Sequence, residues 1–161
     1  MRNLDAIRCA ALAALLLAGV AARAAEESFD ACDIFTQQDA EQALGTTAAP
    51  EPVNPKVRRP KVITECTYTG FKDSKPVAAS VQFRFGRTDA EAQQAFEDAR
   101  LQFQTKPLLI AGLPAFWSAK TGQMNLLKGR TWIAVTVGAP KADLRFVDDA
   151  RKLTEILIPK I

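Results

Sequence analysis

The sequence predicts an α+β fold in which three helices pack on an antiparallel β-sheet, in the order helix–strands–helix–strands–helix. Three observations lead to this prediction. Two apolar runs between Met124 and Val137 flank Gly129, which is a hairpin signal. Residues 77–85 alternate between apolar and polar, as in a strand with one solvated face, and such strands belong in antiparallel sheets. Residues 88–104 instead place apolar side chains at helical spacing.

Residues 1–24 are predicted to be a cleaved signal peptide. Two arginines precede an apolar run at 9–22, and Ala22-Arg23-Ala24 supplies a small-x-small cleavage site. The run is shorter than the roughly 20 apolar residues that a membrane span needs. We therefore expect a periplasmic or secreted bacterial chain that begins at about Ala25 and has no membrane span after cleavage. The alternative is an uncleaved membrane anchor.

Export changes the charge balance of the chain. Loss of residues 1–24 lowers the count of basic residues from 21 to 18 and of acidic residues from 18 to 17, so the net charge falls from +3 to +1. A nucleic-acid-binding domain usually carries a strong basic excess, so no nucleic-acid partner is expected. Residues 25–161 have a length that suits a single domain.

Two cysteines remain after export. Cys9 leaves with the signal peptide, and Cys32 and Cys66 are predicted to form a disulfide in an oxidising compartment. Closing a loop of about 35 residues is worth roughly 3–4 kcal/mol in the chain-entropy model. A redox or metal-binding role is the alternative, although the chain contains no histidine and we expect no metal.

The first helix is predicted just after Cys32. Thr36 is a good N-cap, Phe35 can pack on Ala40 as a hydrophobic staple, and Gly45 ends the helix in the left-handed conformation. Residues 46–61 follow as a proline-rich extended connection, with room for one edge strand.

The connection contains the only basic cluster of the chain. Its members are Lys56, Arg58, Arg59 and Lys61. A solvated loop is one interpretation of this cluster. The other is a contact for an acidic partner or an anionic surface.

Strands are predicted at 62–68 and 77–85, joined by a loop at 70–76. A capping box that starts at Thr88 opens a helix that runs to about Gln104. Its buried stripe is expected to be Ala92, Phe96, Ala99 and Phe103.

Shorter strands follow the second helix, at 108–110 and 115–120, before the Met124–Val137 pair. A last helix then ends near Pro159. Its apolar side is expected to be Val147, Ala150, Leu153 (or Thr154) and Leu157.

The pattern of short motifs resembles small exported bacterial proteins, including an actinobacterial lipoprotein family of unknown function. The motifs are Cys32 with Ile34-Phe35-Thr36, Asp39-Ala40, Leu44-Gly45, Cys66 with Tyr68, and Gly112-Leu113 with Ala115-Phe116-Trp117. The resemblance implies helices packed on an antiparallel sheet and carries no known activity. Unlike those lipoproteins, this chain has no cysteine directly after the apolar run, so a lipid anchor is not expected.

The sequence lacks the usual signatures of catalysis. Without histidine, Ser-His-Asp triads and Cys-His pairs are excluded. Lys120-Thr121-Gly122 matches one motif of serine β-lactamases, but no serine has the lysine three residues later that this chemistry needs. The adjacent carboxylates Asp148 and Asp149 point about 100° apart on a helix. We therefore expect no catalytic residue, no cofactor and no enzyme activity.

One apolar face is the remaining candidate for function. Trp132 points away from the core-facing Ile133, Val135 and Val137. Leu127 and either Phe116 or Trp117 can extend its face, and aromatic anchors on an exposed patch mark interaction surfaces. The alternative is that a helix or the proline-rich connection covers this face.

These observations favour a non-enzymatic binding or interaction domain of the bacterial cell envelope. Its partner is expected to be an envelope protein, an envelope polymer or a small apolar ligand. Two alternatives stay open: a small carboxylate-dependent envelope hydrolase, and an inhibitor of such a hydrolase that inserts the 56–61 loop into a cleft.

Overall fold

All six strands of the computed structural model lie in one antiparallel sheet, in the order β1-β2-β6-β5-β4-β3. The structure describes residues 29–53 and 62–161. The strands are β1 Ile63–Lys72, β2 Lys75–Phe85, β3 Pro107–Ile110, β4 Leu113–Ser118, β5 Gln123–Lys128 and β6 Thr131–Gly138. The α-helices are α1 Ala31–Ile34, α2 Gln37–Leu44, α3 Asp89–Gln102 and α4 Val147–Leu157, and short 3-10 helices cover Ala142–Leu144 and Ile158–Lys160. This arrangement confirms the predicted α+β class and element order.

The first face of the sheet carries the main core, beneath α2 and α4. Ile133, Val135 and Val137 of β6 point into it, as the alternation of this strand predicts. They meet Leu153 and Leu157 of α4, all fully or almost fully buried. Hydrophobic burial on this face therefore fixes the register of the central strands.

The second face carries a smaller core beneath α3. Its buried members are Ala92, Phe96, Phe116 and Leu127. A Cβ added to Gly86 would lie 2.9 Å from the Cβ of Ala92, so the absence of a side chain at Gly86 allows the start of α3 to lie directly on the end of β2. Because helices cover both faces, the sheet is the middle layer of the fold.

A disulfide joins α1 to β1, as predicted: Cys32 and Cys66 are bonded, with their Cα atoms 5.2 Å apart. Thr36 caps α2 and accepts a hydrogen bond from the backbone of Asp39, whose carboxylate accepts one from the backbone of Thr36 in return. Gly45 ends α2 with φ +67°, which is a left-handed conformation that glycine adopts at little cost.

Two sequence expectations need correction. The loop predicted at 70–76 is a tight turn in which only Asp73 and Ser74 lie outside the strands, both with positive φ, as a two-residue hairpin turn requires. Val147 is exposed, because α4 turns Ala150, Leu153, Thr154 and Leu157 toward the sheet. Residues 70–72 and 75–76 therefore extend the hairpin well beyond the predicted strands.

The described part of the proline-rich connection runs along the open edge of β1. The backbone N–H groups of Ala49 and Val53 donate to the carbonyl oxygens of Thr69 and Thr67. The segment thus gives β1 partners on its outer side, consistent with the expected edge strand. Across residues 29–53 and 62–161, no helix combines the length and the apolar character that crossing a bilayer requires.

Candidate functional site

Trp132 does not lie on a bare surface. The edge of its indole meets Phe96 of α3, with the ring centroids 6.1 Å apart, and the Arg84 guanidinium lies over the ring at 4.5 Å. The indole N–H donates to Oδ1 of the buried Asn125 over 3.0 Å. The ring is therefore half-buried and already engaged by three neighbours.

The other candidates for the partner surface lie on two different faces. Phe116 is fully buried beneath Phe96 at a centroid distance of 4.9 Å, and Leu127 is buried in the same small core. Trp117 points to the first face, where it packs against the main core. The prediction of an exposed patch formed by these residues is therefore wrong, because α3 packs on that part of the sheet.

The four basic candidates, Lys56, Arg58, Arg59 and Lys61, lie outside the described residues. The site is therefore sought in the rest of the fold.

A hydrogen-bonded network of polar side chains lies on the second face of the sheet, beside α3. Oγ of Ser80 lies 2.7 Å from Oγ1 of Thr67, and Gln82 donates to the Glu65 carboxylate over 3.3 Å. The Oε1 atom of Gln82 accepts from Nε of Arg84 over 2.7 Å. Partial burial next to Trp132 lowers the pKa of Arg84, which nevertheless starts from so high a value that the charge remains. Most of the donors and acceptors in this network are paired with one another, so we interpret the network as structural.

A cleft opens at the other side of the sheet, on the first face. It has a volume of about 230 Å³ and lies between the end of α2, the β1–β2 turn, the end of β6 and the segment that leads into α4. Its apolar lining consists of Leu44, Pro76, Val77, Val137, Leu144 and Phe146. The floor is rigid, because Leu44 and Val137 belong to the main core.

Arg145 fixes the wall of the cleft that precedes α4. Its guanidinium donates three hydrogen bonds, to the carbonyl oxygens of Ala139 over 2.9 Å, Thr121 over 3.1 Å and Pro140 over 2.9 Å. Its neighbours Leu144 and Phe146 stay on the outside, 54% and 69% exposed. The two apolar side chains are therefore held in solvent by an anchored backbone.

Phe146 is also the N-cap residue of α4, and the helix begins without any side-chain cap. Serine, threonine, aspartate and asparagine are the favoured N-caps, and an apolar residue there costs roughly 1 kcal/mol of helix stability. The sequence thus places a large exposed aromatic ring at a position where a small polar residue would stabilise the fold.

The rim of the cleft is charged. Lys72 and Lys75 lie directly opposite each other in the register of the β1–β2 hairpin. Nζ of Lys72 donates to the carbonyl oxygen of Leu44 at the C-terminal end of α2. Asp73 at the turn and Asp149 in the first turn of α4 complete the rim.

Sequence reasoning missed this cleft, although one signal was present. Residues 139–146 precede the last helix, and two large apolar residues flank an arginine in this connecting segment. The lysines come from a hairpin far away in sequence, and only the folded sheet brings them to the same place.

The titratable groups of the described chain offer no further site of this kind. Burial alone would raise the pKa of the Asp39 carboxyl, but hydrogen bonds from Lys160 and Thr36 outweigh it and lower the pKa below its ordinary value of 3.8. Burial, with a smaller contribution from Asp39, raises the pKa of Tyr68. Within residues 29–53 and 62–161, no three histidine, cysteine, aspartate or glutamate side chains are grouped closely enough to hold a metal ion.

Comparisons of this chain with models of protein families, with curated proteins and with solved structures find no match. The site is therefore interpreted from its own geometry.

Proposed function

We propose that this chain is a non-enzymatic binding domain of the bacterial cell envelope, periplasmic or secreted, and that the cleft bounded by Leu144 and Phe146 is its binding site. The disulfide supports an oxidising location, where such bonds persist. The single observation that carries the proposal is that Leu144 and Phe146 are held in solvent, beside an apolar cleft, by the hydrogen bonds of Arg145.

Physical chemistry favours occupancy of this cleft by an apolar group. Exposed Leu and Phe side chains gain roughly 1.5–3 kcal/mol each when they are fully removed from water. The chain retains Phe146 at a helix N-cap despite the loss of helix stability. A ligand that covers both side chains would recover that burial, and a volume of about 230 Å³ suits a small molecule or one side chain of a larger partner.

A neutral apolar probe tests the proposal directly. Octan-1-ol is titrated into ¹⁵N-labelled protein, and the backbone amide signals are followed by NMR. The expected result is saturable shifts at Val137, Gly138 and Ala139, which line the cleft. Absence of shifts, or shifts centred on another region, would contradict the proposal.

Phe146→Ser separates binding from folding. Because serine is a favoured N-cap, the variant is expected to keep or raise the melting temperature by stabilising α4, while octan-1-ol affinity falls about tenfold or more. The matched control is Phe71→Ser, since Phe71 is also 69% exposed but lies outside the lining of the cleft. Equal losses of affinity in the two variants would argue against a specific site.

A further inference from the structure

We infer that the ligand of this cleft is a small amphiphile with one negatively charged end, whose apolar chain lies against Leu144 and Phe146 and whose charged end lies between Lys72 and Lys75. This inference rests on the proposed function and adds the chemical class of the ligand. It is carried by the arrangement of charges at the rim of the cleft.

The fold explains only one member of the lysine pair: Nζ of Lys72 donates to the Leu44 carbonyl oxygen at the C-terminal end of α2, whereas the Lys75 ammonium makes no such contact in the described part of the chain. Like charges directly opposite on neighbouring strands destabilise a sheet, and Lys72 and Lys75 are opposite each other at the last position before the turn. Both side chains project from the face that also carries Val77 and Val137, which form part of the cleft. In the described part of the chain, neither lysine has a carboxylate within salt-bridge distance.

The two aspartates at the rim do have structural explanations. Asp73 has φ +52°, and aspartate is enriched among the non-glycine residues that adopt this left-handed conformation. Asp149 lies in the first turn of α4, where the helix dipole stabilises a negative charge. Lys75, and its position directly opposite a second lysine, are thus the features of the rim that remain to be explained by a ligand.

Lys72 is pre-positioned for such a ligand. Its ammonium is tethered over 3.3 Å to the carbonyl oxygen of Leu44, and Leu44 itself forms part of the cleft. An ammonium group keeps two further donors after that bond. A carboxylate on the ligand therefore finds one fixed cation and, in Lys75, a second one that can move toward it.

The geometry specifies an amphiphile because the two parts of the site are adjacent. The apolar wall and the lysines line the same opening, together with Pro76, Val77 and Gly138. A purely ionic ligand would leave Leu144 and Phe146 exposed. A purely apolar ligand would leave the repulsion between the two lysines in place.

Matched probes with the same chain length test the inference. Octanoate and octan-1-ol are each titrated into the full mature protein by calorimetry at low ionic strength. Octanoate is expected to bind about tenfold more tightly, and the difference is expected to shrink as salt is added, because the ionic contribution is screened. In the variant with Lys72→Gln and Lys75→Gln, octanoate affinity should fall to that of octan-1-ol.

The control variant carries Lys106→Gln and Lys120→Gln, two exposed lysines away from the cleft with the same total charge change. It should retain the preference for octanoate. If octanoate and octan-1-ol bind equally well to the unmodified protein, the charged-end inference is wrong while the apolar site stands. If neither probe binds, the proposed function itself is overturned.

Discussion

Beneath α2 and α4, the sheet buries an almost entirely apolar surface, whereas beneath α3 it buries aromatic rings together with hydrogen-bonded polar groups. On the first face, Val81, Phe83, Leu126, Ile133 and Val135 are fully buried. On the second, Trp132 is half-buried and hydrogen-bonded to Asn125. Two helices and a disulfide therefore close one face, and a single helix closes part of the other.

This difference separates the part of the molecule that supplies most of the folding stability from the part that is proposed to bind a ligand. Apolar burial stabilises in proportion to the area removed from water, without any directional requirement. A buried polar network stabilises only while each member keeps its partner. The cleft lies at the margin of the first face, so its floor consists of core residues while Lys72, Asp73 and Lys75 on its rim are exposed to solvent.

The largest effect is expected from the core of the first face. Phe83→Ala removes a fully buried ring and should lower the free energy of unfolding by about 3–5 kcal/mol, because a cavity remains in the main core, where Phe29 packs against that ring. Urea denaturation followed by circular dichroism measures this loss.

On the second face, Phe96→Ala should loosen the packing of α3 on the sheet without affecting the first face. The expected result is faster amide hydrogen exchange in residues 89–102 than in β6. Uniform acceleration throughout the sheet in this second variant would show that the two faces unfold as one unit.

The disulfide supplies the next largest difference between the faces. Replacing Cys32 and Cys66 together by serine should lower the free energy of unfolding by about 3–4 kcal/mol, because the unfolded chain regains the freedom of the closed loop. Denaturant titrations of both forms measure the change. Free thiols that react with iodoacetamide in exported protein, detected by mass spectrometry, would contradict the bond.

Replacing tryptophan by phenylalanine on each face of the sheet compares the two faces through the same substitution. Trp132→Phe leaves the buried Oδ1 atom of Asn125 without its donor, and a loss of about 1–3 kcal/mol is expected. Trp117→Phe is the control, because Trp117 packs against the other face and makes no side-chain hydrogen bond in the described structure. Its cost should therefore be smaller than that of Trp132→Phe. A larger cost at Trp117 would indicate that ring volume, not the hydrogen bond, determines the stability of the second face.

The smallest expected effect concerns an ion pair that joins α2 to the C-terminal 3-10 helix on the first face. Nζ of Lys160 lies 2.6 Å from Oδ2 of Asp39, which is only 6% exposed. The pKa of Asp39 is lower in the folded chain than its unfolded value of 3.8, so its contribution is present above pH 3.8 and is lost as the pH falls through the folded pKa.

Asp39→Asn should therefore cost about 1 kcal/mol at pH 7 and flatten the acid side of the stability curve. Thermal unfolding between pH 2 and about 7 measures both effects. Asp143→Asn, which changes an exposed carboxylate of the 3-10 helix, serves as the control. An acid limb unchanged by Asp39→Asn would show that other groups carry the pH dependence.

Local signals explain why much of the fold could be predicted from the sequence. Thr36 and Gly45 define the ends of α2 through hydrogen bonds within a few residues, and the strict alternation of β6 assigns each side chain to a face. The pairing of Cys32 with Cys66 follows from the number of cysteines outside the predicted signal peptide and from the expected compartment. Each of these inferences needs only neighbours in sequence or simple counting.

The position of α3 could not be read in the same way. Its apolar stripe fits either face of the sheet, and the choice depends on where β2 ends and how closely Gly86 allows the helix to approach. Because α3 crosses the second face, Phe116 and Leu127 became core residues. Reasoning from strand periodicity distinguishes two faces but does not say which of them a distant helix will cover.

The sequence by itself determined the order of the main helices and strands, the side of the central strands that faces the main core and the covalent link between Cys32 and Cys66, because periodicity, capping and cysteine count are local properties. Only the tertiary structure decided that Trp132 is sheltered and that Phe146 stands in solvent beside a cleft that two lysines also line. Those outcomes depend on contacts between residues that are more than 30 positions apart in the sequence, and the free energy of such contacts is set by packing in three dimensions.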